Sequence, residues 1–119
     1  MRVDSMPSPP VLDIEGALRR LGGDRDLFVE LASFVLEDVP PLFNNLRNAV
    51  ATRDAASIRG TAHALKGLVA GCGGVRVAQV AQAIESAGQG GNVAQAASLI
   101  ESLNTELQLL THALRAYQR

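Results

Sequence analysis

Apolar residues recur along this chain at intervals of three and four, and that period limits its possible folds more than any other feature. The clearest run is Ala96, Leu99, Leu103, Leu107, Leu110, Leu114 and Tyr117. A helix turns about 100° per residue, so such a run forms one face of a helix, whereas a strand requires alternation. No alternating run bounded by hairpin signals occurs in the sequence. A helical fold follows, with each stripe buried against its neighbours.

Glycine, proline and capping residues divide the rest into helices. Asp13 is the expected N-cap of a short first helix, which Gly22 and Gly23 stop near Leu21. Asp24 is expected to cap a second, with Leu27, Leu31, Phe34, Val35, Leu42 and Leu46 as its buried face. Pro40 and Pro41 each remove a backbone donor, so one kinked helix is expected, reaching about Ala51. Asp54 caps a third helix that runs to about Cys72 and ends among Gly71, Gly73 and Gly74. The fourth spans Val75 to Ala87, with Val77, Val80, Ile84 and Ala87 on its inner side. Asn92 caps the last, and Gln95 stands where a capping box places it. The fold expected is all-α: an antiparallel up-and-down four-helix bundle with a short extra N-terminal helix. Residues 1–11, with Pro7, Pro9 and Pro10, read as a flexible tail or linker, and 12–119 as the bundle domain.

Composition narrows the function. The 119 residues are 47% hydrophobic but only 3% aromatic, so the core must be built from Leu, Val, Ile and Ala. A formal net charge of -1 provides no basic footprint for nucleic acid. No apolar run approaches the ~18 residues of a membrane span. The first residues lack the apolar stretch of a signal peptide. Lone Cys72 excludes an internal disulfide, and a cytoplasmic protein is expected. One apolar stripe per helix can be satisfied within one bundle, so a monomer is expected.

The informative segment lies in the third helix. Ile58, Ala62, Leu65, Val69 and Cys72 share the face that must enter the core, and His63 lies off it. Its neighbours one turn away are Arg59, Lys66 and Gly67, and Gly60 and Ala70 extend the patch. Gly60 and Gly67 each lose about 1 kcal/mol of helix propensity relative to Ala. An exposed site has no packing reason to accept that loss, but a closely approaching partner would supply one. Imidazole has a ring nitrogen with a free lone pair, suited to attack on phosphorus, and Lys66 can neutralise phosphoryl oxygens. No Gly-rich phosphate loop and no cluster of carboxylates for magnesium is visible. The chain is therefore expected to hold no cofactor of its own, with metal and phosphoryl donor on a partner. His112 lies opposite the Leu stripe and reads as an ordinary surface residue. Cys72 reads as a small buried hydrophobe, so no metal site is expected.

Ala62-His63-Ala64-Leu65-Lys66-Gly67, followed by Gly73, resembles the signature of histidine-containing phosphotransfer (HPt) domains of multistep phosphorelays. Leu21-Gly22-Gly23-Asp24 before Leu27-Phe28, the Asp38-x-Pro40 step and the Leu-rich last helix are also similar, over about residues 12 to 117. The resemblance implies a helical bundle that accepts a phosphoryl group from one receiver aspartate and passes it to another. By position it makes His63 the phospho-acceptor and Lys66 its electrostatic aid. It makes Gly67 the residue that clears room for the receiver, and with the face around His63 the expected receiver-docking patch is Arg59, Gly60, Ala64, Gly67, Leu68 and Ala70. The implied partners are response-regulator receiver domains, which bring their own magnesium, and a hybrid sensor histidine kinase. Leu68, Val69 and Gly71 depart from the small hydroxyl and Asn residues common in the family.

A non-phosphorylated interaction module of the same fold is the alternative, but it would be free to lose His63 or Lys66. The dimerisation domain of a sensor kinase usually has an acidic residue after the His and a Pro nearby, where Ala64 and Gly67 stand here. An enzyme with His63 as general base needs a pocket and a second catalytic group, and the sequence suggests neither.

Overall fold

The computed structural model describes residues 9–118. Five helices follow one another: α1 (Ile14–Arg20), α2 (Arg25–Ala51), α3 (Ala55–Gly71), α4 (Val75–Gln89) and α5 (Val93–Arg115). The described residues contain no strand. Three-residue turns join the four long helices, so each reverses on its predecessor, and α5 closes the ring against α2. α1 leans on the start of α2. The tail expected over 1–11 lies, up to residue 8, outside the described residues, whereas Val11 and Leu12 already pack on the core.

The helix starts follow the expected caps. Side-chain oxygens of Asp13, Asp24, Asp54 and Asn92 accept from the amides of Gly16, Leu27, Ser57 and Gln95 at 3.0–3.1 Å. Each satisfies a donor the helix cannot. Ser57 also donates to Asp54 at 2.7 Å, and these bonds hold the Asp54 carboxyl below its usual range. The Asn92 amide donates to Ala87 O at 2.8 Å, closing the end of α4, so it is not free for the return half of a capping box. α4 consequently runs to Gln89, two residues past the expected end.

α2 is a single helix through Pro40 and Pro41, whose missing amides leave the Leu36 and Glu37 carbonyls without helical donors. Its buried face differs from the one expected. Phe28, Ala32, Val35, Val39 and Leu46 enter the core, while Leu27 is 42% and Phe34 57% exposed, and Leu31 and Leu42 are half-buried. Leu27 and Phe28 differ by one position, about 100° of rotation, and apolar residues stand on both flanks. Packing favours the flank whose small Ala32 lets a neighbour come close.

The other cores follow the sequence. Ile58, Ala62, Leu65, Val69 and Cys72 are fully buried, as are Val77 and Ile84 of α4 and Leu103 and Leu114 of α5. Val80, Leu99 and Tyr117 are half-buried at the margin, with Tyr117 edge-on to Phe28. α3 packs most extensively on α4, and Gly88 makes the close approach possible. A Cβ on Gly88 would lie 2.8 Å from the Arg59 amide nitrogen and 3.1 Å from the Ala55 carbonyl oxygen. Both are backbone atoms that cannot turn aside. Gly88→Ala is expected to destabilise the bundle by about 1–2 kcal/mol despite the better helix former, read as a lowered denaturation midpoint with unchanged slope.

Candidate functional site

His63 stands at the middle of α3, and its side chain is 67% exposed. The core residues Ile58, Ala62, Leu65 and Val69 occupy the opposite side of the same helix. The helix is thus anchored by one face while it presents the imidazole on the other. Arg59, Gly60, Ala64, Gly67 and Ala70 are exposed around it, and Leu68 is half-buried against the core. A Cβ on Gly60 or Gly67 would meet nothing within 4 Å. The two glycines are therefore not required by packing, and they leave the ground beside the imidazole flat.

The polar side of the site lies toward α4. Lys66, 27% exposed, reaches across with Nζ 2.8 Å from Glu85 Oε1 and donates to Gln82 Oε1 at 2.8 Å. The other oxygen, Glu85 Oε2, lies 3.0 Å from His63 Nδ1. Gln82 donates in turn to Ser86 Oγ at 3.1 Å. One carboxylate thus bridges the imidazole and the lysine. Glu85 is only 14% exposed. The hydrogen bond from Lys66 holds its carboxyl below the usual carboxylate range, His63 adds to this, and partial burial works against both. Sequence reasoning missed Glu85, Gln82 and Ser86, because their place in the site depends on how α4 registers against α3.

The opposite side is apolar. Leu27 and Phe34 are exposed on α2, and a Cβ on Gly71 of α3 would come 4.0 Å from Leu31 Cδ2. Between Lys66 and α4 runs an open groove of about 550 Å³, lined by Arg20, Gly67, Ala70, Val75 and Ala78. Arg20 Nη2 donates to Ala70 O at 3.1 Å, tying the end of α1 to α3. Cys72 is fully buried; burial pushes its thiol up to about 11, and Sγ donates to Val69 O at 3.3 Å. His112 is exposed on α5 near Pro40 of α2. Among the described residues no three His, Cys, Asp or Glu stand together as a metal site, and no helix is long and apolar enough to cross a membrane.

An exposed mid-helix imidazole with a lysine one turn onward, on an antiparallel bundle, is the arrangement the resemblance implied. The family model of the Hpt domain matches residues 30–117. This chain belongs to the Hpt domain family. The crystal structure of histidine-containing phosphotransfer protein B (HptB) from Pseudomonas aeruginosa PAO1 is similar throughout. The identity is 25% and the TM-score 0.83, over 92% of this chain and 95% of that one. Comparison with curated proteins gives no significant match. Hpt domains are phosphocarriers that work with receiver domains and kinases, and the function of this Hpt domain is histidine phosphotransfer in a phosphorelay.

Proposed function

We propose that His63 carries the phosphoryl group, taking it from the aspartyl phosphate of one response-regulator receiver and passing it to the aspartate of another. One observation carries this reading: the imidazole is 67% exposed on an otherwise anchored helix, on ground that Gly60 and Gly67 leave open. A ring nitrogen attacks phosphorus, the bond from phosphorus to the receiver's carboxylate oxygen breaks, and the electron pair leaves with that carboxylate. Onward transfer runs the same step in reverse on the second receiver.

Lys66 serves this step as a cation fixed one helical turn from the nucleophile, where it offsets charge on the phosphoryl oxygens. Arg59, Gly60, Ala64, Gly67, Leu68 and Ala70 form the surface on which the receiver docks. The receiver supplies the acyl phosphate and magnesium, and a hybrid sensor histidine kinase stands upstream. The sequence has no run ending in Gly-Lys-Ser or Gly-Lys-Thr to cradle ATP, so the chain acts as a carrier without a nucleotide site of its own. It acts as a monomer in the cytoplasm, with one hydrophobic core shared by all five helices.

The test is incubation with phosphorylated receivers, following acid-labile label onto this chain and then onto a second, unlabelled receiver. Failure of every charged receiver to label the chain would refute the proposal. Lys66→Ala is expected to slow the transfer about 10- to 100-fold without abolishing it, because one charge is lost and the nucleophile stays. Rapid-quench transfer rates would check that outcome.

A further inference from the structure

We propose that the groove between α3 and α4 takes a segment of the docked receiver that carries an apolar side chain and a carboxylate, and that Arg20 selects the receiver by pairing with that carboxylate. The inference rests on His63 being the acceptor over which a receiver docks. His63, Gly67 and Ala70 stand at i, i+4 and i+7, so they share one face of α3. Gly67 and Ala70 also line the groove, with Val75 and Ala78 of α4 and Arg20 of α1. The groove thus continues the ground around the imidazole. Ala70 is about 10 Å along the helix from His63. A specific interface covers about 800 Å² of each partner, a disc roughly 16 Å in radius. A receiver centred on His63 therefore extends over the groove.

The lining decides what fits. Gly67, Ala70 and Ala78 supply almost no bulk, and Val75 and Ala78 are half-buried, so the open space of about 550 Å³ stands over an apolar floor. Covering such a floor with a partner's apolar side chain removes it from water, which favours association. The polar groups along the groove are two cations, Arg20 and Lys66, and two amides, Gln79 and Gln82.

The two cations differ in what they already hold. Lys66 is engaged by Glu85 at 2.8 Å. Arg20 Nη2 donates to Ala70 O at 3.1 Å, and no carboxylate among the described residues pairs with it. A guanidinium has five N–H donors in a rigid fork, so the bond to Ala70 orients the group and leaves other donors for a carboxylate. The receiver's charge is complementary. Magnesium is held through carboxylates, so the receiver surface around its reacting aspartate is acidic. Arg20 is exposed, and a charge pair at such a rim acts on encounter and on the choice of partner rather than on the chemical step.

The experiment titrates a panel of unphosphorylated receivers, with magnesium, into ¹⁵N-labelled full chain. Every receiver that shifts the amides around His63 is expected to shift those of Val75, Ala78 and Gln79 as well. Transfer rates are then measured over the concentration of the phosphorylated receiver. Arg20→Glu is expected to raise KM about 10-fold and Arg20→Gln about 3-fold, with kcat held within roughly twofold. Arg20→Lys keeps the charge and should stay near wild type, as should Arg19→Ala on the same helix. The Arg20→Glu defect should shrink as salt rises, because exposed charges are screened. A merely structural Arg20, tying α1 to Ala70, predicts that Lys and Gln variants fare alike and that salt changes nothing. A thermal melt of each variant checks the fold. Unmoved amides at Val75 and Ala78, or an unchanged KM in Arg20→Glu, would overturn the proposal. Phosphoramidate, a small phosphoryl donor that needs no docking, tests the acceptor separately. Label on His63 from phosphoramidate upholds the acceptor reading even where the groove proposal fails. No label from phosphoramidate or any receiver ends that reading, while the amide shifts still decide whether a receiver occupies the groove.

Discussion

Replacing His63 with Ala is expected to reduce labelling of this chain by a phosphorylated receiver to background. The nucleophile is a single atom of a single side chain, and neither Lys66 nor Glu85 can stand in for it: the first is a cation, and the second has both oxygens engaged. Stability should change by no more than about 0.5 kcal/mol, because the side chain is 67% exposed and the core face of α3 is untouched. The Lys66–Glu85 pair remains, so the variant leaves no bare charge behind. Label transfer and a thermal melt, measured on the same sample, separate loss of chemistry from loss of fold. Label retained by His63→Ala would overturn the assignment, and label found on His112 would redirect it to the other face of the bundle. A role confined to protein interaction, with no phosphate carried, predicts that wild type and variant are equally unlabelled.

What was legible in the sequence was what is local. Four caps each lie within three residues of the amide they serve, and α3 has one unambiguous apolar face because Arg59, Gly60, His63 and Lys66 fill the other. Hence the exposure of His63 could be read before the fold was known. α2 was harder. From Leu27 to Leu36 only Glu30 and Ser33 interrupt the apolar residues, so periodicity cannot choose between adjacent faces. The polar half of the site was not legible, because Glu85 meets His63 across two helices and 22 positions. Two signals pointed to it nonetheless. Lys66 is the sole lysine of the chain, with ten arginines making up its other basic residues, and a compact, flexible ammonium is what a shared carboxylate and phosphoryl site needs. Glu85 is the sole carboxylate between Asp54 and Glu101, set beside core residue Ile84, where an acid has little reason to be without a partner.

Gly73→Ala is expected to destabilise the protein by about 2–4 kcal/mol while leaving transfer chemistry in place below the melting range. The two motif glycines look alike in sequence and differ in structure. Gly67 faces open space, whereas Gly73 has φ +89° and supports the N-terminal segment. It ends α3 in the left-handed conformation, its amide donating to Ala70 O and that of Gly74 to Val69 O. An L-residue there costs about 1–2 kcal/mol from backbone strain alone. The added Cβ would also collide with the Asp13 carbonyl oxygen and lie 3.0 Å from its carbon. That contact cannot relax cheaply, because the Asp13 amide donates to Gly73 O at 2.8 Å while its side chain caps α1 at Gly16. Moving Asp13 away breaks the first bond and tilts the helix the second one starts. The melting temperature should therefore fall by roughly 10 °C or more, and amides of α1 should exchange faster than those of α3. His63 lies on the open side of α3, far along the helix from this turn, so a receiver should still label the folded variant. An unchanged melting temperature would show that the turn accommodates a side chain, and lost labelling at full helicity would show that Gly73 belongs to the docking surface rather than to the scaffold.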